Sequence, residues 1–544
     1  MTKKYKVSKS SKDSDSETAR LLQEKSKFEA RRNELIMELL DTERKITSIQ
    51  SKYGAICNRN IPVLNLPNEV TCMIFDYMLA FCSRSPDPTD PKAKILPLAE
   101  IVVSHVCHHW RSVALSYHQL WASFRYDILR SPSVPFERFD AYLERSASVG
   151  LELWFWFRGA LGESEDLLEL LQKAIPHVKR WKRFTLTSDS ETPVHEVLEV
   201  IKDKLISAPM LEHFAFCSHM GATGPGSFRV IDSLDETVFR NGAPKLKSVL
   251  LDLTGAITSF PPLSNVTTLR IEDLDRSIDI RLSWSAFRDI VSLPSLVNLS
   301  VTGNACESPN FNTITPILMD NLKHMRISDN LCLILLLPYI RAPLLETLTL
   351  RDSLFPENFA TCPHGSDTHI SNPYVFPSLK YLCFINVCAT LTPSARQFAK
   401  MTANTVDMTF SSGDYDESFF SAYMAPAENK ERETLWPKIE VLTFNIDVDD
   451  ELDDILRFAQ GRPKKSVTLR LFDDMHEAWK VADLVTDVTY VQVARAYKLE
   501  TINSKKNWLV QVQWPPVSGG YREGLFVDED DPFSVEGYDD DDFD

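Results

Sequence analysis

Apolar residues recur along this chain in three rhythms, and each predicts a different kind of structure. From about Glu17 to Tyr53 the chain is rich in Leu, Glu, Lys and Arg and holds neither Pro nor Gly. Leu21, Phe28, Leu35 and Ile49 are spaced in sevens, with Thr42 the weak member, and Leu39, Ile46 and Tyr53 form a second row four residues later. Lys25 and Arg32 occupy the first two places of that second row. The pattern predicts a helix over residues 19–54, ended by Gly54. Two readings stay open. One is a short coiled coil that makes a homodimer through residues 19–53. The other is a helix lying against its own neighbouring segment or fraying in solvent.

The second rhythm is that of a helical hairpin. LNLPNEVTCMIFDYML (Leu64 to Leu79) places Pro67 in a first turn, where its missing N–H costs nothing, and Glu69 near the positive end of the helix dipole. Val70, Met73, Ile74 and Tyr77 then share a face. Four prolines between residues 81 and 97 stop the helix, so 80–98 reads as a loop insertion. IVVSHVCHHWRSVALSYHQLWAS (Ile101 to Ser123) resumes it, with Val102, Val103, Val106, Trp110, Val113 and Tyr117 predicted on one face of one helix. Leu120 and Trp121 close the unit. So short a hairpin buries little surface alone, and this one is more apolar than its own packing needs. The surplus is what a docking surface for another helical protein looks like.

The third rhythm runs from about 150 to 475. An L-x-x-L-x-L pattern recurs at Leu211, Leu246, Leu296, Leu322, Leu345, Leu379 and Ile439, with a partial copy at Val266. Pro244, Pro294, Pro343, Pro377 and Pro437 stand just before several copies, and two copies continue to Asn304 and Asn330. Alternation inside each copy predicts a short strand with one face in the core. A single strand cannot bury that face, so the copies must stack. The middle separations suit a period of 20–29 residues and the outer ones are longer. Past 475 the repeat fades. Ala478–Leu499 reads as helical and Trp508–Trp514 as a strand, both within a carboxy-terminal cap over 476–526.

Charge and cysteine content narrow the function. At 544 residues the chain is long enough for several folded units. A net charge of −17 argues against sequence-independent nucleic-acid binding. The ten cysteines include no CxxC pair, so no metal is expected, and none of the phosphate-loop, dinucleotide, zinc-protease or nucleophile-elbow motifs occurs. No cofactor and no catalysis are expected. The start, MTKKYKVSKSSKDSDSE, lacks an export signal, and the longest apolar run, Leu331 to Ile340, is too short for a membrane span of about twenty residues. No membrane association is therefore expected, and the location is read as cytoplasmic or nuclear. Residues 1–18 read as a disordered basic tail. Residues 527–544 read as a disordered acidic one, with ten acidic side chains from Asp528 onward.

The Leu-Pro start, the amphipathic helix, Val-Cys-x-x-Trp-Arg and the closing Leu-Trp over residues 60–125 resemble F-box domains. With the degenerate leucine-rich repeats, the arrangement resembles the F-box-like proteins of mushroom-forming fungi. The resemblance implies an α+β or α/β solenoid: an amino-terminal helix, a small all-helical F-box, then an irregular leucine-rich-repeat horseshoe with a parallel sheet. It also implies docking to the Skp-type adaptor of an SCF cullin ubiquitin ligase. Leu66, Pro67, Val70, Ile74 and Phe75 would touch the adaptor, and Val103, Val106, Cys107, Trp110 and Trp121 would touch it or brace the surface. The repeats over 150–475 would read a protein substrate, whose identity is unknown, through side chains between the buried leucines. Arg326, Arg351 and Tyr381 stand out among these, the arginines as either a basic spot for an acidic partner or ordinary solvated strand residues. The alternative is a repeat scaffold that engages no ligase.

Overall fold

The computed structural model describes residues 10–58, 61–82, 98–128, 133–157, 164–188, 198–203, 206–218, 229–272, 280–308, 317–328, 337–355, 376–389, 392–411, 435–445, 466–472 and 497–502, with Val194, Ile334 and Arg495 singly between them. They fall into two compact units. One lies within residues 1–75 and 102–114, the other within 76–101 and 115–544.

The first unit opens with helix α1 (Ser10–Asn58), and every residue from Glu17 to Tyr53 in it is exposed. The helix therefore starts inside the stretch read as a tail and runs four residues past Gly54. A Cβ placed on Gly54 would meet open space, and the helix continues through the glycine. A 3-10 turn (Pro62–Asn65) leads into α2 (Asn68–Cys82), followed by α3 (Ala99–Val106) and α4 (His108–Ser116), of which residues 76–82, 99–101 and 115–116 fall in the second unit. The expected single second helix is thus two, broken at Cys107. Of the insertion read over 80–98, residues 83–97 lie outside the described residues, and α2 extends to Cys82.

The second unit is built on strands. In chain order they are β1 (Ser123–Asp127), β2 (Leu151–Trp156), β3 (Trp181–Ser188), β4 (His213–Ser218), β5 (Arg229–Ile231), β6 (Ser248–Asp252), β7 (Thr268–Glu272), β8 (Ile280–Leu282) and β9 (Asn298–Thr302). They continue as β10 (Ile317–Leu318), β11 (His324–Ser328), β12 (Ile340–Arg341), β13 (Thr347–Phe355), β14 (Tyr381–Ala389), β15 (Asp407–Ser411), β16 (Val441–Asn445), β17 (Thr468–Phe472) and β18 (Lys498–Ile502). Fourteen of them form one parallel sheet in the order β1-β2-β3-β4-β6-β7-β9-β11-β13-β14-β15-β16-β17-β18. β5 pairs with β8 and β10 with β12 in two small parallel ribbons. Helices α5 (Phe136–Arg145) and α6 (Ser164–Ala174) lie between the first strands in sequence. The chain is mixed helix and sheet, with a large parallel sheet and an amino-terminal helix.

All eight stretches matched to the apolar pattern, the partial copy included, run into strands of the large sheet. The sheet starts earlier and ends later than 150–475, because β1 and β18 belong to it. β1 takes residues 123–125 out of the expected all-helical segment, and β18 holds Lys498 and Leu499, expected in a helix. Trp508–Trp514 and both terminal tails up to residue 9 and from 503 lie outside the described residues.

Register explains the pattern. Leu269, Leu299, Met325, Leu348, Leu382, Met408, Leu442 and Leu469 pair across the strands as one row. Ile271, Val301, Ile327, Leu350, Phe384 and Phe410 form the next. Fully burying such a side chain contributes about 1.5–3 kcal/mol, so the two rows are the main cohesive force of this region. At the β1 end the core is aromatic: Trp181 stacks on Phe184 at 4.2 Å, and Phe124 packs on Phe139 at 4.5 Å.

A tight turn precedes most of these strands. The amides of Leu211, Leu246, Val266, Leu296, Leu322, Leu345, Leu379, Thr405 and Ile439 each bond the carbonyl three residues back. Proline at the second turn position pre-sets φ in six of the nine: Pro209, Pro244, Pro294, Pro343, Pro377 and Pro437. The three without proline carry asparagine at the third position instead. Asn265, Asn321 and Asn404 donate their amides to the carbonyls of Pro244, Pro294 and Pro377, at 3.2, 2.8 and 3.2 Å. Each thereby ties its turn to the proline turn one copy earlier. Asn304, to which one copy continues, is exposed after β9, and Asn330 lies outside the described residues.

Candidate partner-binding surfaces

The first surface belongs to the helices of the first unit. Leu66 is extended (φ −67°, ψ 146°), and the Pro67 carbonyl accepts the amides of Val70 and Thr71, both at 3.1 Å, which starts α2. Helical spacing then separates two faces. Thr71 and Phe75 are fully buried, whereas Val70 is 38% and Met73 60% exposed. Pro67 is exposed, and Leu66 and Ile74 are half-buried.

Each residue of Val106-Cys107-x-x-Trp110-Arg111 has a distinct physical task. Cys107 breaks the helix and caps the next: its carbonyl accepts the Arg111 amide at 2.9 Å and its sulfur the Trp110 amide at 3.4 Å. Trp110 meets Phe75 edge-to-face, centroids 5.3 Å apart, joining α4 to α2. Arg111 reaches back to the Ser104 carbonyl (2.9 Å), placing a cation at the negative end of α3. Val106 is left 55% exposed, and Val103 is buried. Pro67, Val70, Met73 and Val106 are thus apolar and open to solvent, while Phe75 and Val103 are internal and cannot touch a partner. His109 Nε2 and the Trp110 indole N–H are buried without a hydrogen-bond partner among the described residues.

Trp121 does not join this set. It lies in the second unit, 1% exposed, edge-on to Tyr142 at 5.4 Å with the Arg145 guanidinium 4.4 Å over its ring. It is a core residue there, because β1 begins two positions later.

The second surface is the polar face of the sheet, in the second unit. Asn298, His324, Thr347 and Tyr381 pair in one row, and Ser300, Arg326, Thr349 and Cys383 in the next. The expectation that these side chains face solvent fails in the middle strands. Arg326 is 5% exposed and its Nε donates to Ser300 Oγ at 2.8 Å, so it braces neighbouring strands. His324 bonds Thr347 Oγ1 at 2.8 Å, and burial pushes its pKa below the usual histidine range. Arg351 is half-buried, and Tyr381 is exposed. Further along, Arg470 lies 3.6 Å from Asp407 and 3.1 Å from Glu500. Burial raises the Asp407 pKa despite Arg470, and beside it the Cys383 thiol is pushed up to about 12.

One further buried acid sits apart from both surfaces. Glu100 accepts the Tyr142 hydroxyl; burial raises the carboxyl pKa, opposed by that bond and by Arg138 and Arg125. These perturbed groups stand on different elements: Glu100 on α3, His324 on β11, Cys383 on β14 and Asp407 on β15. Among the described residues no cluster of three His, Cys, Asp or Glu could hold a metal, and no helix is long and apolar enough to cross a membrane. No protein-family model and no curated protein sequence matches the chain.

Proposed function

We propose that the chain is the substrate-recognition subunit of an SCF-type ubiquitin ligase, docking to a Skp-type adaptor through an F-box-like segment and holding a target on leucine-rich-repeat-like strands. The observation that carries this reading is the exposure of Pro67, Val70, Met73 and Val106 on a helical unit in which Phe75 is fully buried and Trp110 half-buried against it. Apolar side chains left out of so small a core are poorly explained by its own stability and well explained by a partner. The action is proximity: a target held on the same chain as the ligase meets the conjugating enzyme at raised effective concentration. The residues open to a target include Tyr381, exposed on β14, while Arg326 serves the sheet. Such a subunit acts in cytosol or nucleus, where that machinery works.

Co-purification with a Skp-type adaptor tests the reading. The intact chain is expected to hold the adaptor in a stable complex, and Pro67→Ala with Trp110→Ala to lose it. A full-length chain that passes the adaptor without retention refutes the docking role.

A further inference from the structure

We propose that α1 pairs antiparallel with α1 of a second copy of this chain, in a register fixed by charge. This rests on α1 alone and is independent of the ligase reading.

Leu21, Phe28, Leu35, Leu39, Ile46 and Ile49 are between 48% and 66% exposed, so nothing in the first unit covers the seam. Most helical stability comes from packing an apolar face, and α1 presents such a face from Leu21 to Tyr53 with no cover. The seam's spacing assigns heptad positions. Leu21, Phe28, Leu35, Thr42, Ile49 and Ile56 take d, and Lys25, Arg32, Leu39, Ile46 and Tyr53 take a. The g positions are then Glu17, Glu24, Arg31, Glu38, Lys45 and Lys52, and the e positions include Glu29 and Glu43.

Those flanking charges choose among arrangements. A parallel pair in register sets each g residue against the e residue five places on in the partner. That puts Glu24 on Glu29 of the second copy and Glu38 on Glu43, like charge on like charge, each twice. An antiparallel pair sets g against g. With Leu39 packed on Phe28 of the second copy and Ile46 on Leu21, the g pairs are Glu17 with Lys52, Glu24 with Lys45, and Arg31 with Glu38. All three are complementary, and two-fold symmetry makes each occur twice. The e residues Glu29 and Glu43 face Ile36 and Leu22 of the second copy, without charge conflict. Sliding the antiparallel pair by one heptad keeps one complementary g pair, Glu17 with Lys45 or Glu24 with Lys52, and makes the others like-charged. One direction sets Glu24 on Glu38 and Arg31 on Arg31 of the second copy, and the other sets Arg31 on Lys45 and Glu38 on Glu38. Charge therefore favours a single alignment. In that alignment Lys25 meets Thr42, and Arg32 lies beside Leu35, where its stem can pack while its head reaches water. The present partners of these charges, Glu29 for Lys25, Glu34 for Arg31 and Asp41 for Lys45, are exposed intrahelical pairs that can exchange at little cost.

Sedimentation velocity of the full chain under reducing conditions, from sub-micromolar to tens of micromolar, tests the proposal. The expected species has twice the chain mass of 62.0 kDa. Arg31→Glu alone, or Glu38→Arg alone, is expected to weaken association on the order of fivefold or more, and the two together to restore it to within about twofold. Both residues are exposed, so circular dichroism is expected to stay unchanged. A monomer throughout the range overturns the proposal, as does a dimer indifferent to all three variants. A dimer strengthened by Glu38→Arg alone also overturns it, since relief from Glu43 is the mark of the parallel pair.

Discussion

Phe75 and Met73 stand two residues apart on α2 and should fail in opposite ways. Phe75 is fully buried and meets Trp110 edge-to-face at 5.3 Å. Phe75→Ala removes that ring from a packed site, at a cost of about 3–5 kcal/mol. A small unit has little more stability than that, so the variant is expected to unfold it locally. Met73 is 60% exposed and Val106 55%, and trimming exposed side chains changes stability by about 0.5 kcal/mol or less. If a Skp-type adaptor covers them, each is worth about 1 kcal/mol of binding or more, so Met73→Ala with Val106→Ala weakens the complex about thirtyfold or more. Hydrogen exchange on peptides covering 68–79 and 102–114, beside an adaptor titration, reads both effects. The expected result is lost protection in Phe75→Ala and native protection with weak binding in the surface pair. Native protection in Phe75→Ala would refute the account of the interior, and native affinity in the surface pair would refute the account of the exterior.

Three other outcomes test the second unit. Glu100→Gln should flatten the pH dependence of its melting temperature: a carboxyl with raised folded pKa holds its proton when the unfolded chain has lost it, so the native protein loses stability as pH rises from about 4.5 through that pKa, and the glutamine variant does not. Gly255→Ala should destabilise by about 2–3 kcal/mol in denaturant unfolding, because its Cβ would overlap the Phe216 carbonyl oxygen and lie 2.8 Å from Asp252 Oδ1, which accepts the Gly255 amide as helix cap. Arg326→Ala should cost about 1–3 kcal/mol by stripping Ser300 of its buried donor, while Tyr381→Ala leaves the melting curve in place; equal curves would contradict the bracing role.

The strands are legible in the sequence because their period is strict wherever both apolar rows are filled by leucine-like residues, as at Leu322, Met325 and Ile327. Others are hidden for identifiable reasons. β15 enters through Thr405 rather than a leucine, and β3 through Trp181 and Phe184 behind a 3-10 turn. β17 and β18 carry the same alternation, Val467, Leu469 and Leu471, then Tyr497 and Leu499, but Ser466 and Ala496 stand where the earlier copies put a leading leucine or isoleucine. The asparagines that replace proline in three turns follow a simple rule that only their hydrogen bonds expose. The break at Cys107 leaves no trace in the spacing, because Val106 and Trp110 keep helical separation across it and a cap on a sulfur has no sequence pattern. Burial of Arg326 is equally illegible, since alternation assigns a side to each residue but not what lies beside it.

Because each strand of the large sheet bonds only the strands before and after it in the chain, with the two small ribbons set aside, its architecture is modular by addition. Removing or duplicating one strand with its turn would leave every other ladder with its partners, whereas a sheet of shuffled strand order would lose pairings at a distance. Lineages can therefore lengthen, shorten or recombine this region in whole units and keep a foldable chain. Variation between relatives should consequently appear as changes in strand number and in the connecting segments before it appears in the two apolar rows.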